Sequence, residues 1–137
     1  MSHQQSFEIR TRGRGSTEIT AEVARIVRAA AIATGIAQVF VQHTSCSVMI
    51  TENADPAVRR DLETLAARWA PDGDPAYRHD REGADDMAAH ARSLLAGSAV
   101  SVPVGDGELL LGTWQGIYLW EHRTGAQVRR VVVTVLG

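Results

Sequence analysis

Apolar and polar positions along the chain change period several times, and each change predicts an element. From Phe7 to Arg12 they alternate with period two, the pattern of a half-buried strand that ends near Gly13 and Gly15. Ile19, Val23, Ile26, Val27 and Ala30 then recur at helical spacing, with Thr17 or Thr20 available as N-cap and Gly35 placed to end the helix in a left-handed conformation. Ile36 to Gln42 and Cys46 to Thr51 read as strands rich in Val, Ile and Phe, separated by the polar His43-Thr44-Ser45. Asp55-Pro56 is a strong helix start, because the carboxylate accepts from exposed N–H groups and proline gives up a donor that had no partner. That helix runs to Trp69 with Val58, Leu62, Leu65, Ala66 and Trp69 as its apolar stripe, and Pro71 stops it. Residues 72–84 form a long loop rich in Gly, Asp and Pro. A third helix from about Asp85 to Ala96 is expected to bury Met87, Ala91, Leu94 and Leu95 and to end at Gly97. The rest is β: a hairpin of 99–104 and 108–112 around Gly105-Asp106-Gly107, then a second of 116–123 and 127–136 around Thr124-Gly125. Pro103 requires an edge or a bulge. Strands in blocks with helices between them give an α+β class, mostly antiparallel sheet packed with about three helices.

At 137 residues the chain fits a single domain, spanning 1–137, with one core. Hydrophobic residues at 45% and charged residues at 22% are ordinary for a globular protein, and there is neither a signal peptide's apolar core nor a run of about 18 apolar residues. The expectation is a cytoplasmic protein with no membrane partner. Fourteen basic against 16 acidic residues argue against nucleic acid as a partner. Arg129 and Arg130 could face a phosphate locally, although alternating arginines on a strand are more often its solvent side. The single cysteine, Cys46, cannot form an internal disulfide and reads as a buried apolar thiol.

Candidate chemistry concentrates in His79-Asp80-Arg81-Glu82-Gly83-Ala84-Asp85-Asp86-Met87-Ala88-Ala89-His90, where imidazoles and carboxylates gather at a helix start. Asp86 and His90 stand four apart, so they project from one helix face. Three readings of the pair stay open: a capping carboxylate beside a surface histidine, a carboxylate fixing a histidine tautomer, or two members of a metal site. On a continuous strand His43, Ser45 and Ser47 would share one face and Thr44, Cys46, Val48 and Ile50 the other, which separates His43 from Cys46. Ser45 lacks a nucleophile elbow, so its expected role is a hydrogen bond to a ligand or to backbone. Glycines flank Thr113-Trp114-Gln115; Trp114 could stack on a ring or sit in a core or subunit interface. Glu121 needs a partner if buried, and Arg123 is a candidate.

Taken together, His43-Thr44-Ser45, Glu52-Asn53-Ala54-Asp55-Pro56 with Arg60-Asp61, Tyr77-Arg78-His79-Asp80 with Glu82-Gly83, Asp85-Asp86-Met87 with His90, and Gly112-Thr113-Trp114-Gln115-Gly116-Ile117-Tyr118 with Glu121-His122-Arg123 closely resemble the YjbQ-like family. Its members are described as secondary thiamine-phosphate synthases. The resemblance runs from about residue 5 to the C-terminus and implies a homotrimer with the His and Asp blocks around a pocket. It also implies a reaction: an aminopyrimidine methyl diphosphate is joined to a thiazole phosphate with release of pyrophosphate, the word "secondary" leaving room for a side activity. A diphosphate leaving group calls for a divalent ion, Mg²⁺ or another, held by carboxylates. On this reading His43, His79, Asp86 and His90 are catalytic, and Glu82, Asp86 and His90 hold the metal. Ser45, Asn53, Trp114, Gln115 and Arg123 contact the small phosphorylated substrate. Two other classes use the same residues: a metal-assisted hydrolase of a phosphorylated metabolite, and a non-catalytic protein that binds a phosphorylated ligand.

Overall fold

Two antiparallel sheets carry the structure, and a helix fills the space between them. The computed structural model describes residues 1–137. In chain order the elements are β1 (Ser2–Arg10), β2 (Gly15–Glu18), α1 (Thr20–Ala30), β3 (Gly35–Val41), β4 (Cys46–Glu52), α2 (Pro56–Trp69), α3 (Asp86–Ala96), β5 (Ala99–Gly105), β6 (Glu108–Leu109), β7 (Gln115–Glu121) and β8 (Val128–Leu136). The larger sheet has the order β1-β8-β3-β5-β6 and the smaller β2-β7-β4. The inward residues of β3, β5 and β8, together with Cys46, Val48, Ile117 and Leu119 of the smaller sheet, close on Ile19 at the start of α1 and on Val23, Ile26 and Val27 within it. This is the α+β architecture expected from the blocks of strands, with three helices.

Several sequence expectations give way to tertiary pairing. β2 lies in a polar stretch that contains Thr17, one of the two candidate N-caps. Its pairing with β7 makes it a strand, Gly15 opposite Glu121 and Glu18 opposite Tyr118. The N-cap of α1 is therefore Ile19, with no side-chain cap, and Thr20 Oγ1 instead accepts from the Ile117 N–H at 2.9 Å. Strands β7 and β8 do not form a hairpin. β7 pairs with β2 and β4, and β8 with β1 and β3, so residues 122–127 carry the chain from one sheet to the other. The same crossing happens at 42–45: His43, Thr44 and Ser45 belong to no strand, and their strict alternation of faces is lost. Pro103 sits in β5 opposite Ile36, and Leu110 N–H reaches its carbonyl.

Gly35 does not end α1. The helix stops at Ala31, which adopts the left-handed conformation with φ 53°, while Gly35 opens β3 where a Cβ would lie 2.0 Å from the Leu136 carbonyl oxygen. An alanine at φ > 0 is strained, so Ala31→Gly is expected to stabilise the fold by about 0.5–1 kcal/mol after the entropy gained by the unfolded chain is subtracted. A higher urea midpoint at unchanged m-value would show it.

α2 and α3 cover the outer face of the smaller sheet with sides the apolar pattern did not predict. Asp55 caps α2 as expected, its Oδ1 accepting from Ala57 N–H at 2.9 Å. Of the expected stripe, however, only Ala66 is buried, and Trp69 is 57% exposed. On α3 the buried residues are Asp86, Ala88, Ala89 and Arg92, whereas Leu94 is 85% exposed and Leu95 is also exposed. Small side chains at 88 and 89 let the helix lie close on β4, and turning Asp86 and Arg92 inward satisfies polar partners that leucines could not.

Beneath these helices lie Ser47, Tyr118, Trp120 and His122. His122 is fully buried, with Nε2 and the Ser47 hydroxyl 2.8 Å apart and the Trp120 ring centroid at 4.8 Å. Burial, reinforced by the nearby Arg92 charge, pushes its pKa down from the usual 6.5 to about 3. The neutral ring is thus favoured by folding. The resulting stability is fully present above pH 6.5 and lost as pH falls through the window toward 3, because there the unfolded chain takes up a proton that the folded chain refuses. His122→Gln is expected to flatten the stability profile between pH 6.5 and 4 by up to about 1.4 kcal/mol per pH unit. Parallel profiles for the two proteins would show that His122 is not held neutral.

Candidate functional site

The start of α3 is clamped to the end of β7. Asp85 is the N-cap residue by position, yet its side chain caps nothing. Its Oδ2 accepts from Arg123 Nε at 2.9 Å, from Thr124 N–H at 2.9 Å and from the Thr124 hydroxyl at 3.2 Å. Partial burial opposes the Asp85 charge, but these donors outweigh it and hold the carboxyl down at about 2. Arg123 Nη1 lies 3.0 Å from Asp86 Oδ1, and its Nη2 donates to the Glu82 carbonyl. Arg123 is therefore spent on orienting two carboxylates. Gly83 allows the loop to turn here, with φ 103° and a would-be Cβ only 3.0 Å from Asp85 Oδ1. The loop before it is tied at its base by Gly73 N–H to the Ala84 carbonyl at 2.8 Å and by Tyr77 Oη to the Pro71 carbonyl.

This clamp presents Asp86 Oδ2 to two imidazoles. His79 Nε2 is 2.7 Å away and His90 Nε2 3.2 Å away. One ligand atom from each of the three residues fits within 4.8 Å of the others. Asp86 is 2% exposed; burial opposes its charge, while His79 and Glu82 beside it and the charges of His90 and Arg123 hold its pKa below the usual range. Glu82 stands 3.7 Å from His79 Nε2 and is well exposed, outside the three-residue group.

The tautomer of His90 tests whether a cation suits this group. His90 Nδ1 lies 3.0 Å from the Thr44 carbonyl, which can only accept, so Nδ1 carries a proton. In the neutral ring Nε2 then points a lone pair at a carboxylate oxygen. That contact needs either a second proton on His90 or a cation between the two. A carbonyl fixing one ring nitrogen so that the other can ligate is the usual outer-shell arrangement of a metal-bound histidine. The donor set fits a divalent ion, and two imidazoles suit a transition metal better than Mg²⁺, which prefers oxygen ligands and retained waters.

Two concavities flank the trio. One of about 250 Å³ includes Tyr77, His79 and Asp80, and the other, of about 350 Å³, is lined by His43, Thr44, His90, Ser93, Leu94 and Ser98. Behind the second runs a buried polar chain. Glu121, at 1% exposure, accepts from Arg129 Nε at 2.7 Å, from Arg129 Nη2, from the Thr11 hydroxyl at 2.8 Å, and from the His122 and Arg123 N–H groups. The partner of Glu121 is thus Arg129; Arg123 contributes only its backbone N–H. Ser45 accepts from Arg129 Nη2 through both its carbonyl and its hydroxyl. Cys46 is buried, and burial raises its thiol pKa to about 12, which leaves it inert.

The other expected substrate residues lie elsewhere. Asn53 Nδ2 donates to the carbonyls of Thr113 and Gln115, Gln115 Oε1 accepts from Gly112 N–H, and Trp114 is 63% exposed. They occupy the Gln115 end of β7, whereas Glu121 and Arg123 occupy the other. At about 3.3 Å per residue the two groups are roughly 20 Å apart. Within one chain they cannot serve one small ligand.

The geometry invites comparison with known proteins, and residues 5–137 match the family model described as UPF0047 protein YjbQ-like. The chain belongs to the YjbQ-like family. It is 43% identical over 135 residues to a UPF0047 protein of Synechocystis, covering 98% of this chain and 92% of the relative. It is 38% identical over 138 residues to the UPF0047 protein YjbQ of Escherichia coli O157:H7, covering 100% and 99%. Among solved structures, an uncharacterized conserved protein of the yjbq/upf0047 family from Clostridium acetobutylicum superposes with a TM-score of 0.89 at 32% identity, over 96% of this chain and 99% of the other. A conserved hypothetical protein from Thermus thermophilus gives 0.85 at 37% identity, with the same coverage. The YjbQ-like fold is therefore shared across most of the length.

Two contributors escaped the reading of individual residues. The Thr44 carbonyl, which sets the His90 tautomer, is a backbone group that carries no sequence signal. Arg129 was legible only as half of an Arg-Arg pair: alternation sends one member inward, and the structure buries Arg129 while Arg130 stays exposed.

Proposed function

We propose that this YjbQ-like protein is an enzyme that acts on a small phosphorylated metabolite with a divalent cation held by His79, Asp86 and His90. The observation that carries the reading is the convergence of His79 Nε2, Asp86 Oδ2 and His90 Nε2 within 4.8 Å of one another, with His90 Nδ1 committed to the Thr44 carbonyl. When bound there, the ion would supply charge neutralisation for a phosphate or diphosphate group. Arg123 keeps Asp86 in place, and the α3 backbone holds His90 one turn away. His79 comes from the loop and is half-exposed, so it is the member of the trio placed to exchange protons with ligand or solvent.

The reaction favoured by the family resemblance is the joining of an aminopyrimidine methyl diphosphate to a thiazole phosphate with release of pyrophosphate. It is tested by measuring pyrophosphate with both half-molecules and Mg²⁺, Mn²⁺ or Zn²⁺, using Asp86→Asn as control. Release that needs both substrates and Asp86 supports the synthase reading. Phosphate released from a single substrate, with no acceptor, would replace it by hydrolysis. Binding with no turnover would replace both by a non-catalytic role.

Assembly as a homotrimer belongs to the same proposal. What supports it is apolar surface without a partner in the chain: Leu65, Trp69, Leu94 and Leu95 on the helices, and Ile36, Phe40 and Leu136 on the outside of the larger sheet. A trimer would also offer a way to bring the Trp114 end of one copy toward the His90 end of another. Sedimentation is expected to give three times the chain mass, and Leu94→Glu with Leu95→Glu to give the monomer. A monomeric wild-type protein would remove this part. No helix is long and apolar enough to cross a membrane.

A further inference from the structure

We infer that His43, on the wall of the cavity beside His90, and Arg129, buried behind it, form an oxyanion subsite in which His43 acts as a hydrogen-bond donor and not as a base. The inference rests on the reading of this pocket as one for a phosphorylated metabolite. It adds the residues that would grip the anionic group.

Donors and acceptors around His43 do not balance. His43 Nε2 lies 2.7 Å from the backbone nitrogen of Arg130, and an N–H can only donate. Nε2 must accept, so the neutral ring carries its proton on Nδ1. Turning the ring over would set a C–H against that N–H, so the assignment survives a flip. His43 Nδ1 in turn lies 3.4 Å from Arg129 Nη1, another group that only donates. Two donors therefore converge with no acceptor between them.

Arg129 has no slack to turn away. Its Nε is bonded to Glu121, and its Nη2 to Glu121 and to the carbonyl and hydroxyl of Ser45. Nη1 has no polar partner within hydrogen-bond distance other than His43, and the residue is 4% exposed. A buried guanidinium nitrogen without an acceptor is costly, and an oxygen carrying negative charge is the partner that satisfies it together with an imidazole N–H. Burial and the Arg129 charge both lower the His43 pKa, which favours the neutral donor form. His43 lines the same cavity of about 350 Å³ as His90, so an anion held at His43 would lie on the His90 side of the His79–Asp86–His90 group, with Arg129 buried behind His43. A phosphate or a carboxylate would satisfy the pair; both present adjacent oxygens.

The deciding measurement is the ring ¹H–¹⁵N spectrum of His43 in the wild-type chain, titrated with inorganic phosphate and, separately, with acetate. The expected result is an Nδ1–H ring in the free protein, a saturable shift of Nδ1 on titration, and affinity weakened about tenfold or more by His43→Phe. A response to phosphate alone assigns a phosphoryl group, and a response to acetate alone a carboxylate; either supports the subsite. An Nε2–H ring, or an Nδ1 resonance unmoved by both anions, overturns it, as does unchanged affinity in His43→Phe. Because Arg129 holds Glu121, its variants risk the fold, and the wild-type spectrum avoids that risk. Titration with Zn²⁺ alone keeps the two ideas apart. A metal that shifts His79 and His90 while phosphate leaves His43 silent overturns only this inference. The reverse pattern overturns only the metal centre.

Discussion

Asp86→Asn is expected to weaken binding of a divalent ion about 100-fold or more and to remove metal-dependent turnover, while leaving a folded protein. Asparagine keeps the shape and one oxygen, so the steric setting of His79 and His90 is preserved; what disappears is the negative charge that two imidazoles and Arg123 surround. Replacing a single outer-shell partner already costs ten- to a hundredfold in metal affinity, and Asp86 would be an inner ligand. Arg123 retains Asp85, so the clamp on α3 survives and the loss of stability is held to about 1–3 kcal/mol, the range for one buried partner removed. Calorimetric titration with Zn²⁺ and Mn²⁺ measures the first effect and urea unfolding the second. Equal metal affinity in the two proteins would take Asp86 out of any metal centre and leave the trio as a hydrogen-bonded helix start.

Glu121→Gln is expected to produce the largest loss of stability, about 3–5 kcal/mol. The wild-type carboxylate is almost fully buried and accepts from a guanidinium, a hydroxyl and two backbone N–H groups. Burial opposes its charge, but Arg129, the Arg123 N–H and Thr11 hold its pKa below the ordinary range. A glutamine amide would turn an NH₂ group toward one set of these donors and leave Arg129 charged and uncompensated. The double variant Glu121→Leu, Arg129→Met is expected to recover most of the loss, since an apolar pair of similar volume avoids the buried charge altogether. Urea denaturation of the three proteins measures this. A single variant within about 1 kcal/mol of wild type would mean that solvent reaches the pair and screens it.

The candidate site was legible in the sequence wherever it is local. Asp86 and His90 are one helical turn apart, and that spacing alone put them on one face. The joining of His79 to them follows from a loop closed by Gly73 and Ala84, a contact eleven residues apart that no periodicity announces. Trp114, Gln115 and Asn53 show the opposite case. Their glycine-flanked, polar character suggested ligand contact, but strand length separates them from the histidines.

By itself the sequence determined the number and kind of most elements, the caps at Asp55 and Gly97, the single core of Val and Ile, and the membership of the YjbQ-like family. These depend on side-chain period and backbone chemistry over a few residues. Only the tertiary structure decided that β7 and β8 part into different sheets, that a polar stretch becomes β2, that α3 turns Asp86 and Arg92 inward and leaves Leu94 and Leu95 outside, and that Arg129 rather than Arg123 neutralises Glu121. In each case two locally acceptable arrangements were separated by long-range pairing. A buried charge or an unpaired backbone edge costs several kcal/mol, more than local propensity can supply.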